Sequence, residues 1–221
     1  MIGSFSSTYV RSIAITVGEA AVAAPLFHIS TMPKPPGDDS SLREHFAWTY
    51  GTLAMVHAAV KDGETRYKPV HFIIRGRFRH GFLSEKMRMR PLHDDEKTKI
   101  AHATTCCYCG REAKLSLDHL IPKLKGGPDA ADNITYACRS CNSSKGPKDM
   151  VLWLVSKGRF PAILVFRRYL KLAARWCEDA KLMETSWADV PDASLPFDKR
   201  SLRVKWPELS VQRLWPDPPE P

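Results

Sequence analysis

Apolar residues recur at helical spacing beyond residue 41. Leu42, Phe46, Leu53, Val56 and Val60 fall on one stripe, which predicts a helix that Gly63 stops. Ser41-Leu42-Arg43-Glu44 places a capping box in front of it, and Gly51 is a weak helix former inside it. From 69 to 83 the pattern changes. Arg75, Arg77 and Arg79 alternate with Gly76, Phe78 and His80, a period of two that predicts an extended segment with three guanidinium groups on one face. Lys86, Arg88 and Arg90 repeat the alternation. Such a face is either a solvated polar surface or a row of phosphate contacts. Further on, Lys114 to Leu117 and Ile134 to Ala137 each suit one short strand, joined by a loop bearing Pro122, Gly126, Gly127 and Pro128. Met150 to Lys157 reads as a helix ended by Gly158, and Pro161 can open a longer one reaching about Met183. In that helix Ile163, Leu164, Leu170, Ala173, Ala174 and Cys177 mark a core-facing stripe. Arg167, Arg168, Lys171 and Arg175 lie off it, as an edge that could extend a nucleic-acid surface.

These patterns divide the chain. Residues 1–40 are a weakly patterned N-terminus and linker, and 41–100 a helix plus a basic extended segment. Residues 101–150 form a small module with two strands and a helix, and 151–185 a helical extension. Residues 186–221 are a proline-rich tail around Trp206 and Trp215 that wraps the surface or frays. The fold class expected is α+β. The most apolar run, Ile13 to Phe27, contains Glu19 and is too short for a membrane span. A signal peptide is one reading of it and a true start at Met32 another, while the cysteine usage described below favours a cytoplasmic protein.

Composition narrows the partners. Of 221 residues, 43% are hydrophobic and 26% charged, which excludes a disordered chain. A net charge of +9 favours a polyanionic partner, nucleic acid ahead of an acidic membrane surface. His71, His80, His93 and His102 have no partner spacing and read as surface or packing residues.

The six cysteines say more. Cys106/Cys109 and Cys138/Cys141 are two C-x-x-C pairs a few dozen residues apart, the spacing of a tetrahedral zinc site rather than of a secreted disulfide scaffold. Cys107 and Cys177 are left over, the second as a core residue. Gly110 after Cys109 suits a metal knuckle that needs a positive φ. Between and beside the pairs stand Asp118-His119 and Asn142. A strand ending in Asp118-His119 and a helical turn carrying Asn142 bring an acid, an imidazole and an amide to one groove. Carboxylate and amide oxygens suit a hard divalent cation, and neutral histidine can take a proton from an attacking water.

The stretch resembles the HNH family of nucleases, a ββα-metal fold of two antiparallel strands and a helix around one catalytic metal, here with the four-cysteine zinc that many members carry. The resemblance implies a metal-dependent endonuclease acting on DNA, double-stranded DNA above all. It implies Asp118 and Asn142 as ligands of Mg2+, Mn2+ or another divalent cation, His119 as general base, and Asn133 as the residue orienting loop and histidine. Cys106, Cys109, Cys138 and Cys141 would hold structural Zn2+. Lys145-Gly146 matches the family's common ending and suggests a phosphate contact. Arg139 and the Arg75, Arg77 and Arg79 row are further candidates for nucleic-acid contact, with a solvated polar face as the alternative for the row. The final position is asparagine where the family's name has histidine, which leaves the preferred cation open. On the residues alone, Asn133 also suits an ordinary turn and Asn142 a helix cap. A non-catalytic zinc-stabilised nucleic-acid-binding protein and an RNA-directed nuclease are the alternative functions.

Overall fold

The computed structural model describes residues 34–89 and 91–218. The apolar run 13–27, the candidate start at Met32 and Arg90 of the second basic row lie outside the described residues. Six helices and two strands follow in order: α1 (Leu42–Lys61), α2 (Pro69–Leu83), α3 (His93–Ala101), β1 (Leu115–His119), β2 (Ile134–Cys138), α4 (Arg139–Lys145), α5 (Met150–Ser156) and α6 (Ile163–Asp179). Single 3-10 turns punctuate the loop between the strands and the C-terminal segment. The fold is mixed: helices around one small antiparallel hairpin. No described helix is long and apolar enough to cross a membrane.

The start and stop of α1 are local chemistry. The Glu44 N–H donates to the Ser41 hydroxyl at 3.3 Å, and the Ser41 N–H donates back to the Glu44 carboxylate at 2.9 Å. Beyond the helix, Gly63 takes φ +69°, which a side chain would resist.

The extended reading of 69–83 is wrong, because the segment is α2. Proline at its first position has no N–H to lose there, and the Lys68 N–H is capped by the His71 Nδ1 at 2.9 Å. Packing then decides. His71, Arg75, Phe78 and Phe82 recur at helical spacing, with Phe82 buried and Phe78 against Tyr50 of α1 at 6.0 Å between ring centroids. The alternation of arginine with glycine and phenylalanine was a coincidence of composition on a helix. Arginines two apart are turned by about 200°, so the three do not share a face. Arg77 is exposed, whereas Arg75 lies over the Trp48 ring at 4.9 Å and the Phe72 ring at 5.4 Å.

Gly51 makes the α1–α2 crossing possible, since a Cβ there would sit 2.8 Å from the Arg75 carbonyl oxygen. A second correction concerns α6, which ends at Asp179 and whose basic edge is internal. Asp95 of α3 is 3% exposed and accepts from Arg167 at 2.8 Å and Lys171 at 2.6 Å. Arg168 donates to the Asp132 carbonyl at 2.7 Å and the Ala131 carbonyl at 3.1 Å, and Arg175 to the Asp132 carboxylate at 2.8 Å. Arg167 and Lys171 are spent on the buried Asp95, and Arg168 and Arg175 are paired with the half-exposed 131–132 segment, so this edge is already engaged within the chain.

The proline-rich C-terminal segment does wrap the body. Leu195, Phe197, Leu202 and Leu209 are buried in the same core as α1, α5 and α6. Trp206 packs on Phe160 at 5.0 Å, and Trp215 stacks on His102 at 4.2 Å.

Two of the helical glycines, Gly51 and Gly76, give opposite expectations. Gly51→Val should destabilise by about 1–3 kcal/mol, because the added atoms force the two helices apart. Gly76→Ala, where a Cβ meets nothing within 4 Å, should stabilise by up to about 1 kcal/mol through helix propensity. Urea denaturation of both variants beside wild type measures the two effects, and destabilisation by Gly76→Ala would contradict the helical assignment of 69–83.

Candidate active site

The hairpin is five residues per strand, with Leu115 opposite Cys138 and His119 opposite Ile134. Cys106 and Cys109 lie in the turn before β1, Cys138 ends β2, and Cys141 sits one turn into α4. Their four sulfurs lie within 4.8 Å of one another, and those of Cys109 and Cys138 are 3.8 Å apart. Tetrahedral zinc with Zn–S of about 2.3 Å has sulfur–sulfur edges of about 3.8 Å, whereas a disulfide needs about 2.05 Å. The donor set therefore fits zinc. The knuckle is drawn tight by the Gly110 N–H on the Cys106 carbonyl at 2.8 Å, with Gly110 at φ +69°. Cys107 stays outside the cluster. Burial holds its thiol far above the ordinary range, so it remains a neutral core residue beside Thr135.

The loop between the strands is closed by one amide. Asn133 is fully buried; its Oδ1 accepts the Ile121 N–H at 2.9 Å, and its Nδ2 donates to the carbonyls of Ile121 at 2.7 Å and Pro128 at 2.9 Å. Gly127 completes the closure, since a Cβ there would fall 2.3 Å from the Ile121 carbonyl oxygen.

Around β1 the polar side chains form a connected set. Asp118 is 8% exposed and accepts from the Tyr108 hydroxyl at 2.6 Å and from the Lys145 ammonium at 3.1 Å. Burial first, and then the Asp118 carboxylate beside it, pushes the Tyr108 phenol well above its ordinary range, so it stays a donor. Lys145 is fully buried and also donates to the His119 carbonyl at 2.7 Å. The expected phosphate contact of Lys145 is thereby overturned: its charge is consumed inside the module. Asn142 donates through Nδ2 to the Ser116 hydroxyl at 2.9 Å and the Leu117 carbonyl at 3.0 Å, leaving its carbonyl oxygen as the acceptor end. Asp118 and Asn142 thus both meet the α4 side of β1. His119, next on the strand, projects to the other side. Its Nε2 lies 2.9 Å from the Asp129 carboxylate, which Lys123 also holds.

As a test for a hard cation, the set holds one carboxylate and one amide oxygen. An ionised carboxylate has about four lone-pair sites, of which Tyr108 and Lys145 engage two, so Asp118 retains acceptor capacity. Arg139 at the start of α4 is exposed; Arg75, Arg77 and Arg79 are on α2, outside the strands and helix of the module. Two participants, Tyr108 and Asp129, and the role of a third, Lys145, are not legible in the sequence. Tyr108 was hidden as a spacer inside the C-x-x-C pair, Asp129 sits in a loop with no periodicity to mark it, and the inward turn of Lys145 needs the helix geometry.

Two antiparallel strands, a short helix and a four-thiol cluster define a ββα-metal module. Residues 106–148 match the HNH endonuclease family, so the chain carries an HNH domain, the unit of a family of nucleases. The helices on either side lie outside the match. Comparison with curated proteins and with solved structures returns no match.

Because so small a unit depends on its metal, chelation should release one zinc per chain and unfold the hairpin. Cys138→Ser should do the same, while His119→Ala keeps the metal. Metal analysis and near-ultraviolet circular dichroism check this. A Cys138→Ser protein with full zinc and native signal would count against a structural metal.

Proposed function

We propose that the protein is a metal-dependent endonuclease that hydrolyses phosphodiester bonds in DNA. His119 serves as general base, and Asp118 and Asn142 are the ligands of a divalent cation, Mg2+ or Mn2+. The observation that carries the reading is that β1 ends in the carboxylate of Asp118 and the imidazole of His119, while the helix-borne amide of Asn142 meets the Asp118 side of the same strand, within an HNH match. A protein that only binds nucleic acid needs none of the three.

When bound, the cation supplies charge stabilisation to the scissile phosphate and to the leaving oxygen. The chain's own groups do the rest. Tyr108 and Lys145 fix the Asp118 carboxylate from two sides, and the Ser116 and Leu117 contacts turn the Asn142 carbonyl oxygen away from the strand's backbone. Asn133 holds the loop behind His119. His119 takes the proton of the attacking water, a role worth typically about 10²–10⁴ in rate. The net charge of +9 attracts the polyanion, and the exposed Arg139 and Arg77 are candidate phosphate contacts.

Duplex DNA is favoured over single strands or RNA loops by the exposed surface. Among the described residues the exposed large hydrophobics are all aliphatic, and the aromatics, Tyr136 of β2 included, are half-buried or buried, which gives unpaired bases less to stack on. The binding-only alternative draws on one observation, the Lys145 ammonium on Asp118, because a cation arriving there meets a positive charge.

Purified protein with supercoiled plasmid and Mg2+ or Mn2+ should nick or linearise it, and His119→Ala, matched for zinc content, should lose at least about a hundredfold in rate. Gel retardation without cleavage by both proteins would favour the binding-only reading, and cleavage confined to RNA the other alternative.

A further inference from the structure

We propose that Asp129 is a positioning residue for His119. It accepts the Nε2 proton, fixes the plane of the imidazole, and leaves Nδ1 as the nitrogen that faces the attacking water. The inference rests on the nuclease reading above and extends it to a residue outside the family's Asp-His, Asn and Asn positions.

The geometry is direct: Nε2 of His119 and Oδ1 of Asp129 are 2.9 Å apart, and Oδ2 of the same carboxylate is bound by the Lys123 ammonium. Although the Asp129 side chain is more than half exposed, its backbone is anchored. The preceding carbonyl, of Pro128, accepts from the buried Asn133 amide at 2.9 Å, and the Gly127 N–H donates to the Pro122 carbonyl at 3.1 Å. The loop that presents Asp129 is therefore tied to the strand end that presents His119. Lys123, then His119, holds the Asp129 carboxyl below the usual carboxylate range, so near neutral pH it is an acceptor only. A neutral imidazole facing such an acceptor carries its proton on Nε2, and its lone pair is then on Nδ1.

The proton balance follows. As the water oxygen bonds to phosphorus, its O–H bond breaks and the proton goes to the Nδ1 lone pair. The ring becomes imidazolium with N–H on both nitrogens, and Nε2–H stays on Asp129, which does not itself take the proton. The phosphorus bond to the leaving oxygen breaks with its electron pair on that oxygen, which is protonated from solvent. The carboxylate thus steadies the ring before the step and offsets its charge afterwards, as in other acid–histidine pairs.

The test uses the full zinc-loaded chain as wild type, Asp129→Ala, Asp129→Asn and His119→Ala, all matched for zinc. In plasmid cleavage, Asp129→Ala should lower kcat about 10–10²-fold with little change in KM or in the metal concentration required. Asp129→Asn, which keeps an acceptor without the charge, should recover part of the loss. Imidazole nitrogen NMR without substrate or Mg2+ should show an exchange-protected Nε2 proton on His119 in wild type and Asp129→Asn, absent in Asp129→Ala. An inactive His119→Ala beside an Asp129→Ala with wild-type kcat overturns the positioning role alone. A raised KM or metal requirement at unchanged kcat also overturns it, making Asp129 a substrate or metal ligand. A fully active His119→Ala overturns the nuclease reading of that histidine and this inference with it.

Discussion

A two-stranded sheet of five residues per strand has no independent stability in water, and everything functional here depends on what closes it. The closure is the meeting of four sulfurs drawn from three places: the turn before β1, the end of β2 and the first turn of α4. Bringing four thiols so close is unfavourable for the bare protein, because ionising one raises the cost of ionising the next. Burial, a separate cause, also pushes the Cys106 thiol up by disfavouring its charged form. A divalent cation reverses that sign and turns a repulsive cluster into a staple. Strand register, the direction of α4 and hence the placing of Asn142 and Lys145 all follow from it.

Lys145 is the second constraint. A fully buried ammonium is tolerated only when its donors are used, and Asp118 with the His119 carbonyl uses them. The contact ties α4 to the two residues at the end of β1, so the same lysine sets the angle between helix and strand. It also means that Asp118 is a paired carboxylate. Replacing the lysine by a neutral residue would relieve the charge that competes with an incoming cation, but would leave Asp118 buried beside Tyr108 with less to hold it.

The chemistry of the module was legible because it is local. Cysteine spacing, the Asp-His pair and the knuckle glycine are each within a few residues of their partners, and α1 announced itself by a capping box at its first residue. The segment 69–83 was misread because period two among charged residues says little when the apolar partners, Phe78 and Phe82, follow the helical period. Nor could the fate of the α6 cations be read. Arg167, Arg168 and Lys171 find Asp95 and the 131–132 carbonyls more than thirty residues away, and only the tertiary packing brings those groups together. Asp129 belongs to the same class, a loop carboxylate whose partner is set by the way Asn133 folds the loop.

The boundary of the family match is therefore not the boundary of the working unit. Tyr108, which holds Asp118, is itself held from outside residues 106–148. Trp153 of α5 packs edge-on against its ring at 5.2 Å, and Arg159 donates to its carbonyl. Asn133, which closes the loop behind His119, follows two carbonyls fixed by Arg168 of α6. Gly110 of the knuckle abuts the C-terminal segment so closely that a Cβ would lie 2.3 Å from the Pro216 carbonyl oxygen. Zinc can close the hairpin, but the orientation of Asp118 and of the loop carrying Asp129 draws on α5, α6 and the C-terminal wrap. Those elements act as the outer support of the site, so a substitution in α6 that leaves every residue of the HNH motif unchanged still bears on His119, through Asp132, Asn133 and Ile121.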